Sequence, residues 1–145
     1  MPQHERTRSL PYTPEQMFDL VADVERYPEF VPGYRQVRIR ERRAGELVVE
    51  QRVRIGPKAV RFHSLASLDR PHRISIRSTD SPFADLEVDW RFEPRDPGCR
   101  VRFRAGYNLV TPVFRGLFEG WFADHSDRIL EAFLERARRH YGPPD

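Results

Sequence analysis

The stretch from Thr111 to Tyr141 constrains the fold more than any other part of the chain. Phe114, Leu117, Phe118, Trp121, Phe122, His125, Ile129, Ala132 and Phe133 recur at spacings of three and four, which places them on one side of an α-helix. Pro112 suits a first turn, where its missing N–H has no partner to lose, and Gly142 followed by Pro143 and Pro144 stops the run. At about 1.5 Å per residue the helix is roughly 45 Å long and crosses a whole small domain. Its aromatic side needs a large apolar surface to cover it.

The rest of the chain supplies that surface as strands. Gln3 to Leu10 reads as an edge strand or arm. Thr13, Pro14 and Gln16 form a helix start with a capping box, Met17, Phe18, Leu20 and Val21 give the buried stripe, and Asp23 restarts a short helical piece from Val24 to Tyr27. From Tyr34 the period becomes two. Val37 and Ile39 alternate with arginines, as do Leu47, Val49, Gln51, Val53 and Ile55 after the Gly45 turn. Val60, Phe62, Ser64, Ala66 and Leu68 share a face beyond Gly56 and Pro57. Ile74 and Ile76, then Leu86, Val88, Trp90 and Phe92, then Val101, Phe103, Ala105, Tyr107 and Leu109 continue the pattern. Short strands joined by short turns make an antiparallel meander with one oily face. The expected architecture is therefore α+β: a curved antiparallel sheet of about seven strands, two short helices after the first strand, and a long C-terminal helix against the concave face. Without repeats or linkers, residues 1–145 form a single domain.

Composition narrows the function classes. No apolar run reaches the ~18 residues of a membrane span, and Met1 to Arg8 is polar, so the expectation is a soluble cytoplasmic protein. One cysteine, Cys99, excludes an internal disulfide and reads as structural. The formal charge of +3 invites a polyanion partner, yet Lys58 is the only lysine among 25 basic residues, so the arginine excess reflects composition as much as phosphate contact, and no DNA partner is expected. His4, His63, His72, His125 and His140 lack metal-ligand spacing, and glycine-rich phosphate loops and serine elbows do not occur, so no metal and no catalytic residue is assigned. Asp85, Glu87 and Asp89 face Arg100, Arg102 and Arg104 as cross-strand pairs.

Small inward residues among large ones, Ser64, Ala66, Ser78 and Ala105, leave volume beneath the helix that a guest can fill. Gln51, Ser64, Tyr107 and His125 are the polar groups expected to face it. On the solvent side Arg38, Arg40, Arg52, Arg54 and Arg61 form a candidate surface for anionic headgroups or ribosomal RNA.

Three local words carry a resemblance. They are Asp23-Val24-Glu25-Arg26-Tyr27-Pro28-Glu29-Phe30-Val31-Pro32, Trp90-Arg91-Phe92 with Cys99-Arg100-Val101-Arg102-Phe103, and Ala132-Phe133-Leu134-Glu135-Arg136-Ala137. Together with the order of elements they resemble the coenzyme Q-binding START-domain family, in the helix-grip (START/Bet v 1-like) superfamily that also holds polyketide cyclases. One departure is that Gly33-Tyr34 stands where the family often has Trp-Cys, which bears on packing at the pocket corner. The resemblance implies binding, without turnover, of ubiquinone or a similar polyprenyl lipid as a bound ligand, in support of respiratory electron transport. It implies no cofactor beyond that ligand, and transient contact with the inner membrane surface. Phe30, Val31, Phe83, Trp90, Tyr107, Phe114, Phe118, Trp121 and Phe122 would line the site, with Gln51 or Tyr107 reaching a quinone oxygen. Relatives labelled ribosome-association toxins imply an alternative, inhibition of translation through the arginine face. A polyketide cyclase or aromatase is a weaker one.

Overall fold

A computed structural model describes residues 3–143, so Pro144, read above as part of the helix stop, and the first two residues lie outside it. Seven antiparallel strands form one sheet: β1 (Gln3–Leu10), β2 (Tyr34–Arg43), β3 (Glu46–Ile55), β4 (Lys58–Asp69), β5 (Arg73–Ser78), β6 (Phe83–Arg95) and β7 (Gly98–Leu109). Their order is β1-β7-β6-β5-β4-β3-β2. From β2 to β7 each strand pairs with its neighbour in sequence. β1 alone pairs across the chain, with β7, so the long crossover from β1 to β2 holds the short helices α1 (Pro14–Ala22) and a 3₁₀ helix (Val24–Glu29).

Local chemistry fixes the turns and ends. Thr13 caps α1 reciprocally with Gln16: the Gln16 backbone N–H donates to the Thr13 hydroxyl and the Thr13 backbone N–H to the Gln16 side-chain Oε1. The second helical piece is a 3₁₀ turn that runs through Pro28 rather than ending before it. A Cβ on Gly98 would sit 2.0 Å from the Leu10 carbonyl oxygen, so only glycine lets β7 start this close to the end of β1.

The last helix, α2 (Pro112–Tyr141), packs along the sheet's concave face and begins and ends where the sequence placed it, with Thr111 as its N-cap. Its two halves are held differently. In the C-terminal half Leu130, Phe133, Leu134 and Ala137 are buried. There Arg6 and Arg8 of β1 pair with Asp127 and Glu131, and Tyr141 donates to the Gln16 carbonyl at 2.9 Å. In the first three turns Val113 is 67% exposed, and a Cβ added at Gly116 or Gly120 would meet nothing within 4 Å, so the outer side is open while Phe118 is buried on the inner side. Helix-interior glycines weaken this segment, and its first turn, ahead of Phe118, is the part least held by packing.

A cavity between the sheet and the last helix

Beneath α2 the curved sheet leaves a cavity of about 120 Å³. At roughly 10–15 Å³ per water site it has room for on the order of ten waters, the size of a substituted ring with a short branched chain. The small residues expected to open it do so at three of four positions: Ser64, Ala66 and Ala105 line it, whereas Ser78 is turned aside and donates its hydroxyl to the His63 carbonyl. Of the predicted lining, Val31, Gln51, Phe83, Trp90, Phe118, Trp121 and Phe122 come together on its wall.

Three others do not. Phe30 packs edge-on against Phe133 at 5.1 Å, with the Arg136 guanidinium 5.0 Å over its ring, and belongs to an outer groove. Tyr107 is buried behind Phe118, with ring centroids 4.4 Å apart, and its hydroxyl hydrogen-bonds the His4 ring at 3.1 Å, away from the cavity. Phe114 is half-buried on the loosely held start of α2, outside the wall. Sequence reasoning did not single out Tyr27, Tyr34, Phe103 and Phe133 as site residues, and all four line the cavity. For Phe103 and Phe133 the signal was present as inward alternation and helical spacing; for the two tyrosines only the three-dimensional corner reveals it.

The wall is overwhelmingly apolar, and Gln51 and Ser64 are its buried polar pair. The Gln51 amide and the Ser64 hydroxyl lie 3.2 Å apart across β3 and β4 as diagonal neighbours, Gln51 standing opposite Phe62 and Ser64 opposite Val49. An amide offers two donors and a carbonyl, so this contact leaves a Gln51 N–H able to meet a ligand oxygen. Burial pushes the Tyr34 phenol up to about 12 and the Tyr27 phenol well above its usual value, so both stay neutral. His125 is not part of the wall: its ring stacks on Trp121 at 4.8 Å and its Nδ1 lies 2.8 Å from the Trp121 carbonyl.

Gly33 sets the packing at the corner between the 3₁₀ helix and β2. Its φ of +86° suits glycine, and a Cβ there would fall 2.9 Å from the Trp121 indole, so α2 supplies the aromatic that fills this corner. Cys99 is 1% exposed, and burial, with Glu15 adding to it, raises its thiol to about 11. Native protein at pH 8 should therefore resist alkylation by iodoacetamide, and denaturant should release rapid labelling of one thiol per chain; fast labelling of the folded protein would show that the sheet edge opens.

The outer face divides in two. On β5 to β7 charges are matched: Asp89 binds Arg73 at 2.7 Å and Arg91 at 3.0 Å, and Arg102 joins Glu5 to Glu93. Of the three acids on β6 expected to pair with β7, only Asp89 forms ion pairs among the described residues, across to Arg73 of β5 and along the strand to Arg91, and none is with Arg100, Arg102 or Arg104. On β2 to β4, Glu50 engages Arg40, which lowers its pKa with a smaller contribution from Arg61, but Arg52 lies directly opposite Arg61 and neither forms a direct ion pair among the described residues. Like charges facing across a ladder cost stability.

An antiparallel sheet gripping a terminal helix over an apolar chamber defines a helix-grip, START-like domain. The family model for polyketide cyclase/dehydrase and lipid transport matches residues 10–134, and the chain belongs to that family. The ribosome association toxin RatA of Escherichia coli K12 is 31% identical over 142 residues, spanning 97% of this chain and 90% of its own. The mitochondrial coenzyme Q-binding protein COQ10 homolog B of Xenopus laevis is 28% identical over 145 residues, 97% of this chain and 59% of that protein. Among solved structures, the Zhui aromatase/cyclase from Streptomyces sp. R1128 has a TM-score of 0.85 at 22% identity, over 97% of this chain and 95% of its own. A START superfamily protein from Mycobacterium smegmatis has a TM-score of 0.77 at 17% identity, over 92% and 97%. At these identities the structural likeness establishes the fold. Among the described residues no helix is long and apolar enough to cross a membrane.

Proposed function

We propose that the protein binds ubiquinone or a similar polyprenyl lipid in this cavity and carries or shelters it without turnover, in support of respiratory electron transport. The observation that carries the reading is an apolar chamber with a single buried amide–hydroxyl pair, Gln51 with Ser64, placed to meet a ring oxygen. The relative named for coenzyme Q binding supports it. Each buried CH₂ of a tail contributes about 0.8 kcal/mol, so the ring and first isoprene units suffice for useful affinity. A longer tail leaves the chamber or lifts the loosely held start of α2, and the polar sheet exterior leaves room only for transient contact with a membrane surface.

Trp90 and Trp121 both line the cavity and report on it. A short-chain ubiquinone should quench their fluorescence saturably, and Gln51→Leu should weaken binding about two- to tenfold, the worth of one hydrogen bond. A linear, non-saturating titration would contradict the proposal.

A second reading is favoured by one feature, the unmatched Arg52–Arg61 pair on β3 and β4, together with the name of the RatA relatives. In that reading the arginine face of Arg38, Arg52 and Arg61 meets ribosomal RNA. Sedimentation with ribosomal subunits separates the two: co-sedimentation lost on Arg52→Glu with Arg61→Glu, with quinone binding intact, would establish the second.

A further inference from the structure

A surface groove of about 540 Å³ lies beside the cavity, and the two share Val31, Tyr34 and Trp121 as a common wall. One layer of side chains therefore separates the chamber from solvent at this corner. Trp121 is its largest member and only half-buried, carried on α2 between the buried Phe118 and Phe122. The indole lies over Gly33, where the absence of a Cβ gives it room.

The groove's polar groups are arranged around that indole. Glu29 is already matched, by Arg26 at 3.0 Å and Arg136 at 3.1 Å, which holds its carboxyl below the usual range. His125 is stacked on Trp121. Arg35 and Arg54 remain without a carboxylate among the described residues. Arg54 is steadied by donating from Nε to the Gly56 carbonyl at 3.2 Å, a contact that orients it without neutralising it. Arg35 sits in a bulge: Tyr34 faces Val53 and Gln36 faces Arg52, so Arg35 has no partner on β3 and is re-aimed out of the ladder. Two guanidinium-bearing residues thus line the groove that shares a wall with the apolar chamber, and guanidinium forks suit carboxylate and phosphate oxygens.

We infer that this groove is the mouth of the cavity, that Trp121 is its door, and that Arg35 and Arg54 receive the anionic head, a carboxylate or a phosphate, of an amphiphile whose apolar chain lies inside. The inference rests on the reading of the cavity as a lipid site and narrows its ligand: a neutral quinone fills the chamber, whereas a lipid with an acidic head uses chamber and mouth together.

Calorimetric titration with geranyl phosphate, geranic acid and geraniol tests it, because the three share one chain and differ in the head. At low salt the wild type should bind the two charged probes about tenfold more tightly than geraniol, and added salt should erode that margin. Which charged probe binds better identifies the head. Arg35→Gln with Arg54→Gln, both exposed and so harmless to folding, should bring the three probes within about twofold and leave geraniol unchanged. Trp121→Ala, followed by the remaining Trp90 fluorescence in stopped flow, should speed uptake and release of all three. Geraniol bound as tightly as the charged probes, with the double variant unaltered, would overturn the mouth while leaving the lipid site standing. Failure of all three probes and of short-chain ubiquinone to bind would overturn the lipid site itself.

Discussion

Ala66→Phe is expected to give a folded protein that no longer takes up lipid. Ala66 is 2% exposed, sits on β4 opposite Leu47 and Ile76, and its Cβ forms part of the cavity floor. A well-packed interior resists added bulk at a cost of about 1–3 kcal/mol, because neighbours must leave their rotamers. Here the space already exists, and a phenyl ring occupies most of what a ligand ring needs. The thermal midpoint should hold or rise, since empty apolar volume destabilises a fold by roughly 24 cal/mol per Å³. Leu65→Phe, the neighbouring position on the outer face, serves as the control and should bind as wild type. Wild-type uptake by a folded Ala66→Phe protein would place the ligand elsewhere.

The second large effect concerns what holds the helix down. Phe133 is 2% exposed and meets Tyr27, Phe30 and Trp90 edge-on, with ring centroids 5.5, 5.1 and 5.2 Å away. Edge-to-face pairs add to the burial of each ring. Phe133→Ala should cost about 3–5 kcal/mol, a fall of roughly 6–20 °C in the thermal midpoint for a chain of this size. Phe114→Ala, at a half-buried position in the first turn of α2, should cost well under half as much. Circular dichroism melts of the two variants check the contrast. Equal losses would mean that the helix is anchored uniformly and that its start has no special freedom to lift from the sheet.

Much of this fold is legible in the amino-acid order, because alternation and helical spacing are local. The inward series from Leu47 to Ile55, the turns at Gly45 and Gly56, and the limits of α2 follow from a few neighbouring residues each. The presence of a cavity was also legible, through Ser64, Ala66 and Ala105 among larger side chains. What escaped depends on distant pairings. That β1 joins β7 is set by contacts such as Leu10 with Cys99, far apart in the chain. The same pairing brings His4 to Tyr107 and engages that hydroxyl outside the chamber rather than toward a ligand. Phe30 was drawn outward by Phe133 and Arg136, partners more than a hundred residues away. The unmatched state of Arg52 and Arg61 likewise appears only once the register places them face to face.

The central claim is that a lipid occupies the space under α2, and the most direct test is to ask what the protein carries. Protein purified without detergent from cells that make quinones would be extracted with organic solvent and the extract analysed by mass spectrometry, beside the Ala66→Phe variant treated identically. The account predicts a prenylated lipid in near-stoichiometric amount from the wild type and its absence from the variant. Extracts free of any such lipid, from protein that also fails to acquire one on incubation with quinone-loaded vesicles, would contradict it.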